Sequence, residues 1–401
     1  MAEFALWLIV AGVSAQPAEA QKFEVLHTFH GRDGAYPTGG LIVDTAGNFY
    51  GVTDEGGTSN GCPHGCGTVF TLAKNGKETV LYSFTGKNGD GKYPASLESL
   101  TRDAAGNLYG TTFEGGDPTT CSGLGCGIVF KLDQNGKETV LHIFGHGKDG
   151  LEPASGLVRD AAGNLYGTTE GGGVNNVGTV FKINKTGKYT AVYSFRGGRD
   201  GNAPVGGLIR DSAGNLYGTT FYGGGGCTFG CGTVFKLDSK GNETVLYRFT
   251  DGADGGFPVG RLLRDAAGNL YGTASGGGNF GCFDGEGCGV VFKLDTTNGE
   301  SVLYTFTGGA DGEHPHAGLV RHSSGNLYGT TLDGGNSGWG VVFKLDTMGT
   351  ETVLHSFGSG SDGAFPLGLL RDAAGNLYGV AEGGGNLSCQ GGCGTVFEVT
   401  P

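Results

Sequence analysis

Residues 206–249 read GGLIRDSAGNLYGTTFYGGGGCTFGCGTVFKLDSKGNETVLYRF, and six further versions of this stretch fill the chain. The core phrase, Gly-Asn-(Leu/Phe)-Tyr-Gly, recurs at Asn48, Asn107, Asn164, Asn215, Asn269, Asn326 and Asn376, 50 to 59 residues apart. A repeat of this size signals a solenoid, propeller or array. Within one unit the spacing predicts four strands, called A to D here: A near Gly207 to Asp211, B near Leu216 to Thr220, C near Gly232 to Asp238 and D near Glu243 to Phe249. An Ala-Gly-Asn turn joins A to B, and Asn-Gly or Lys-Gly turns join C to D, as hairpins prefer.

The ends decide between an open array and a ring. The chain opens with a D-type strand over Phe23 to Phe29 and closes with a C-type strand over Gly394 to Thr400. Seven complete sets of four exist only if the N-terminal strand completes the last blade, which removes free sheet edges. The expected fold is therefore an all-β, seven-bladed β-propeller over residues 21–401, and an open solenoid explains the permuted ends poorly. The repeated Tyr (Tyr109 and its equivalents) and the Phe of G-x-V-F (Phe130 and its equivalents) are spaced as inter-blade core. The Gly after each Tyr, such as Gly110, implies close approach of a neighbouring ring.

Composition agrees. Gly, at 86 of 401 residues, clusters at turns with no collagen register. The formal charge is −13, and a diffusely acidic surface argues against nucleic acid or anionic membrane as partner. Residues 1–20 read as a secretory signal peptide, with an apolar run over Ala5 to Val13 and Ala18-Glu19-Ala20 before the cut, although Met1-Ala2-Glu3 lacks the usual positive start. A secreted, periplasmic or extracellular protein follows, expected as a monomer. Ten Cys form five local pairs in the B–C loops: Cys62 with Cys66, Cys121 with Cys126, Cys227 with Cys231, Cys282 with Cys288 and Cys389 with Cys393. Copies three and six lack both members, as disulfides predict.

The unit P-x-G-L…D-x-x-G-N-L-Y-G…G-T-V-F-K-L-D…G-x-E-T-V-L-Y-S-F resembles the GloVer tandem repeat of secreted bacterial proteins, over about 375 residues from Phe23 to Val399. Its D-x-x-G-N-L-Y part is similar, more distantly, to NHL-type propeller repeats. The resemblance implies export and a propeller, and it carries over no catalytic residues. The chain ends at Pro401 without the C-terminal anchor of many such proteins, so release from the cell is expected.

Strand order puts the B–C and D–A loops on one face and the short turns on the other. Variable loops on a rigid scaffold collect binding residues. Two acidic sets map to the loop face. One is the Asp of D-G-x-x-P: Asp33, Asp90, Asp149, Asp200, Asp254, Asp311 and Asp362. These read first as turn residues. Calcium is the cofactor such a ring could take, but one acid per loop falls short of its usual six to eight oxygens. The other set ends strand B: Asp54, Glu55, Glu114, Glu170, Asp333 and Glu382, interleaved with Phe113, Phe221 and Tyr222. Acids beside exposed rings suit sugar binding, and solvated loop acids are the plainer reading. Copy six departs most, with His314, His316, His322 and Trp339, the last a candidate stacking platform.

The sequence thus points to a secreted module that binds glycan or a cell-surface polymer through the loop face, with a protein partner also open. The alternative is an extracellular carbohydrate-active lyase or hydrolase using two acids at the axial mouth. Near-identical copies favour binding, since like sites give avidity. No nucleophile, zinc-protease or P-loop motif occurs in context.

Overall fold

A computed structural model describes residues 21–94, 100–145, 147–282 and 285–401, so the leader expected over 1–20 lies outside it. Seven antiparallel sheets follow one another along the chain, each in the order A-B-C-D. In blade 4 the strands are Ile209–Arg210, Leu216–Thr220, Thr233–Leu237 and Glu243–Arg248. Strand A is shorter there than expected, whereas in blades 1 and 7 it runs unbroken over Ala35–Val43 and Ala364–Arg371. In blades 2 and 5 it is split into Gly91–Pro94 with Thr101–Arg102, and Gly256–Pro258 with Leu263–Arg264. The N-terminal strand Lys22–Thr28 pairs antiparallel with Thr395–Thr400, register Lys22 to Thr400, and so supplies strand D of blade 7. The ring is closed as the permuted ends require.

One repeated ring packs both within its blade and across the seam to the preceding one. The G-x-V-F rings Phe70, Phe130, Phe181, Phe235, Phe292, Phe343 and Phe397 are fully buried. Each lies against the mid-strand Gly of strand B. A Cβ on Gly51, Gly110 or Gly272 would sit 2.6 to 2.7 Å from the ring edge of Phe70, Phe130 or Phe292. That approach is why the repeat demands Gly there. The Phe ending strand D of the preceding blade meets the same ring edge-on, as Phe84 does Phe130 at 5.1 Å.

The repeated Tyr does more than fill a seam. Its hydroxyl donates to the Asp ending strand A in six blades, as Tyr109 does to Asp103 at 2.9 Å and Tyr217 to Asp211 at 3.1 Å. Burial alone would raise Asp103, but the side-chain amide and main-chain N–H of Asn107 and the Tyr109 hydroxyl outweigh it and hold the carboxyl low. Blade 6 has His322 in place of that Asp, bonded instead to Ser324 at 2.6 Å. His322 therefore belongs to the turn face, away from His314 and His316.

All five expected disulfides form. They fit an oxidising compartment. Among the described residues no helix is long and apolar enough to cross a membrane.

Candidate functional site

Strand B runs toward the loop face and delivers its last residues to a mouth on that face, while the D–A loop of the same blade arrives alongside. That loop has an unusual backbone. The residue before Pro in D-G-x-x-P adopts a left-handed conformation in all seven blades: Tyr36, Tyr93, Glu152, Ala203, Phe257, His314 and Phe365, with φ between 52° and 60°. For side chains other than Gly this costs on the order of 1–3 kcal/mol each.

The cause is a clamp to the preceding blade. The N–H of Tyr93 donates to the carbonyl of Cys66, and that of Phe257 to Cys231, at 3.0 and 2.7 Å. Val177 and Trp339 accept the same bond where blades 3 and 6 lack cysteine. The following proline seats on the next Gly of that loop. A Cβ on Gly67 would lie 2.4 Å from Pro94 Cδ, and one on Gly232 would lie 2.5 Å from Pro258 Cδ. Two docked points leave the intervening residue little conformational choice.

The mouth divides by charge. Asp54, Glu55 and Glu382 line a cavity of about 870 Å3 together with Tyr36, His30, Arg32 and His64. Asp54 is pushed up to about 7, first by burial and then by the charges of Glu55, Glu382 and Glu114. Burial also raises Glu382. Asp54 and Glu55 reach a second cavity of about 320 Å3, shared with Tyr93 and Phe113. Glu114 is neutralised by Lys92 at 2.8 Å. Glu170 is raised by burial and then by Glu152.

Blades 4 and 5 supply no acid at the end of strand B. Phe221, Tyr222 and Phe257 cluster there, with centroid separations of 4.7, 5.4 and 6.1 Å. With Phe229, whose surface is 77 % exposed, and Glu286 they line a groove of about 440 Å3. In blade 6 Asp333 is held by His314 Nδ1 at 3.2 Å. His316 is pushed down to about 4, first by burial and then by His314, and so is neutral.

Trp339 is half-buried where other blades place the second cysteine, 5.1 Å from Phe365 in an edge-on contact. Its ring packs against the seam between blades 6 and 7.

The D-G-x-x-P aspartates turn outward to their own strand D. Asp200 accepts from Tyr193, Asp254 from Tyr247 and Asp311 from Tyr304, at 2.6 to 3.0 Å, and each also takes a loop N–H. Their oxygens are engaged in holding the turn, in line with the turn reading. The sequence also gave the pre-proline ring no role. Its signal was present as a variable, often bulky residue inside an otherwise constant D-G-x-x-P.

The family model described as the Gloeobacter/Verrucomicrobia repeat matches residues 119–308 and 283–401, more than half of the chain. No curated protein matches it. Among solved structures, the extracellular domain of a hybrid two-component system from B. thetaiotaomicron aligns over 94 % of this chain at 14 % identity and TM-score 0.58. The chain spans 41 % of that molecule. A gluconolactonase from Xanthomonas campestris aligns over 94 % of this chain and 89 % of its own length, at 12 % identity and TM-score 0.46. The first of these likenesses concerns the fold alone.

Proposed function

This chain belongs to the Gloeobacter/Verrucomicrobia repeat family, and on that premise we propose that it is an exported binding module whose loop-face mouth holds a glycan or related polyhydroxylated polymer. The observation that carries this reading is the meeting of Asp54 and Glu55 with Tyr93 and Phe113 around one cavity. Rings receive the C–H face of a sugar while carboxylates accept from its hydroxyls. The groove of Phe221, Tyr222 and Phe257 extends the same chemistry across the mouth. The mouth positions differ from blade to blade, so one composite site around the axis fits better than seven equal sites acting by avidity.

A second reading is favoured by Asp54. A carboxyl pushed up to about 7 with further acids alongside is suited to donate a proton to a glycosidic oxygen. Hydrolysis or elimination at this mouth is the enzymatic form of the same recognition.

The test is binding of the oxidised chain to an immobilised glycan panel, with and without Ca2+, followed by assay of every hit for cleavage. Binding without turnover, weakened by Tyr93→Ala, supports the module. Turnover abolished by Asp54→Asn supports the enzyme, and a blank panel overturns both.

A further inference from the structure

Strand D of every blade carries Tyr or His two residues before its closing Phe, beside the Asp of the following D-G-x-x-P loop. In five seams a Glu at the start of strand D in the next blade closes against this pair: Glu78, Glu138, Glu243, Glu300 and Glu351. Each has a buried Oε1 without a hydrogen-bond partner. Four of these seams use Tyr82, Tyr193, Tyr247 and Tyr304, whose hydroxyls are raised above their usual range by burial. A phenol so held stays protonated and donates, so those seams lack a third metal-ligating atom. Two further seams pair histidine with an aromatic ring instead. His142 stacks on Tyr189 at 4.1 Å and His355 on Phe23 at 3.6 Å.

One seam combines histidine with both acids. The ligating atoms of His27, Asp33 and Glu78 all lie within 4.8 Å of one another. His27 Nε2 is 3.2 Å from Asp33 Oδ2. A second departure falls at the same place. His30 stands where the other blades have Thr85, Gly145, Arg196, Thr250, Thr307 and Gly358, and its Nδ1 is 3.6 Å from the same Asp33 oxygen. Zinc bonds of about 2.0–2.1 Å at tetrahedral angles set neighbouring ligand atoms about 3.3 Å apart.

We propose that His27, Asp33 and Glu78 form a Zn2+ site, with the exposed His30 imidazole turning in as fourth ligand. Two nitrogens and two carboxylates suit Zn2+ over Ca2+, which prefers an all-oxygen shell. No thiolate competes, since no free cysteine is present among the described residues. His27 lies on the N-terminal strand that completes blade 7, and Glu78 on blade 1. The ion would therefore tie the closing strand across the seam where the ring is joined. His30 also lines the 870 Å3 cavity, which gives the ion a route in from the loop face.

The experiment is calorimetric titration of ZnCl2 into the oxidised, tag-free, chelator-stripped chain. One saturable equivalent is expected, with a rise in melting temperature that CaCl2 does not reproduce. His27→Tyr installs the residue of four other seams, so folding should survive while affinity falls at least about 10–100-fold, the scale on which zinc sites respond to lost support. His30→Thr should weaken the site without changing the metal-free melting temperature, and Glu78→Gln should weaken it when its zinc-dependent rise in melting temperature is read against its own metal-free value; both decide the matter if His27→Tyr misfolds. Absence of a saturable equivalent, or one that persists unchanged in these variants, overturns the proposal.

Discussion

The seams and the mouth are built on the same sevenfold backbone, yet they treat their side chains in opposite ways. At the seams, the buried Phe70, Phe130 and their equivalents, each set against a Gly of its own blade such as Gly51 or Gly110, repeat without variation. At the mouth, seven loops of one conformation present Tyr, Tyr, Glu, Ala, Phe, His and Phe. Where packing density dictates the residue, every copy agrees. Where only the backbone is dictated, the copies diverge, and divergence at a fixed geometry is how a repeated scaffold acquires a single site.

The sharpest break of this contrast is at the seam. Phe292→Ala should destabilise the fold by about 3–5 kcal/mol, read by chemical denaturation of the oxidised chain. Truncation at the mouth, by Tyr222→Ala, should leave the transition within about 0.5 kcal/mol and weaken ligand binding instead. Equal losses from both would erase the distinction.

The next effect concerns protons at the periphery of the seams. Glu78, Glu138, Glu243, Glu300 and Glu351 are each raised to about 7, by burial first. A carboxyl raised on folding stabilises fully below its unfolded value near 4.5 and loses that contribution as pH rises through about 7. Melting temperature should therefore fall between pH 5 and pH 8, with a smaller fall after Glu300→Gln. The turn aspartates Asp103 and Asp211 act oppositely, since their carboxyls are held low and lose their contribution as pH drops through the acid range. A melting temperature that climbs steadily from pH 5 to pH 8 would contradict the seam assignment.

A smaller effect should run in the opposite direction. Phe257→Gly places the residue suited to φ of 56° where a ring now sits. Stability should rise by about 1 kcal/mol while binding at the groove of Phe221 and Tyr222 declines. Smallest is the titration of Asp54. Binding or turnover should carry an inflection near pH 7 that Asp54→Asn removes, measured as affinity against pH.

Most of the architecture is legible in the repeat. Ring closure follows from counting strands, and the disulfides follow from cysteines that vanish in pairs. The site is legible only in part. The acids at the end of strand B can be placed because strand direction fixes the face. Phe113 with Asp54, and Phe221 with Tyr222, do meet at cavities. Three features lie beyond sequence reading, the first because it needs a loop folded back on its own blade and the other two because they depend on a neighbouring blade. Lys92 neutralises Glu114 only once its loop lies alongside strand B. Trp339 reads as an open platform, but the seam of blade 7 takes it in. The pre-proline ring arises from a hydrogen bond and a proline contact between blades, which no single repeat contains.

The clamp that produces this ring has an evolutionary consequence. Since the backbone at each of the seven positions is held by the carbonyl and glycine of the preceding loop, the fastening common to all seven is made without the side chain, and contacts such as Tyr36 hydroxyl to the Gln390 carbonyl are added singly. Each position is a socket that accepts a new residue without disturbing the other six. A lineage carrying this scaffold can therefore exchange recognition residues one socket at a time while the ring that holds them stays the same.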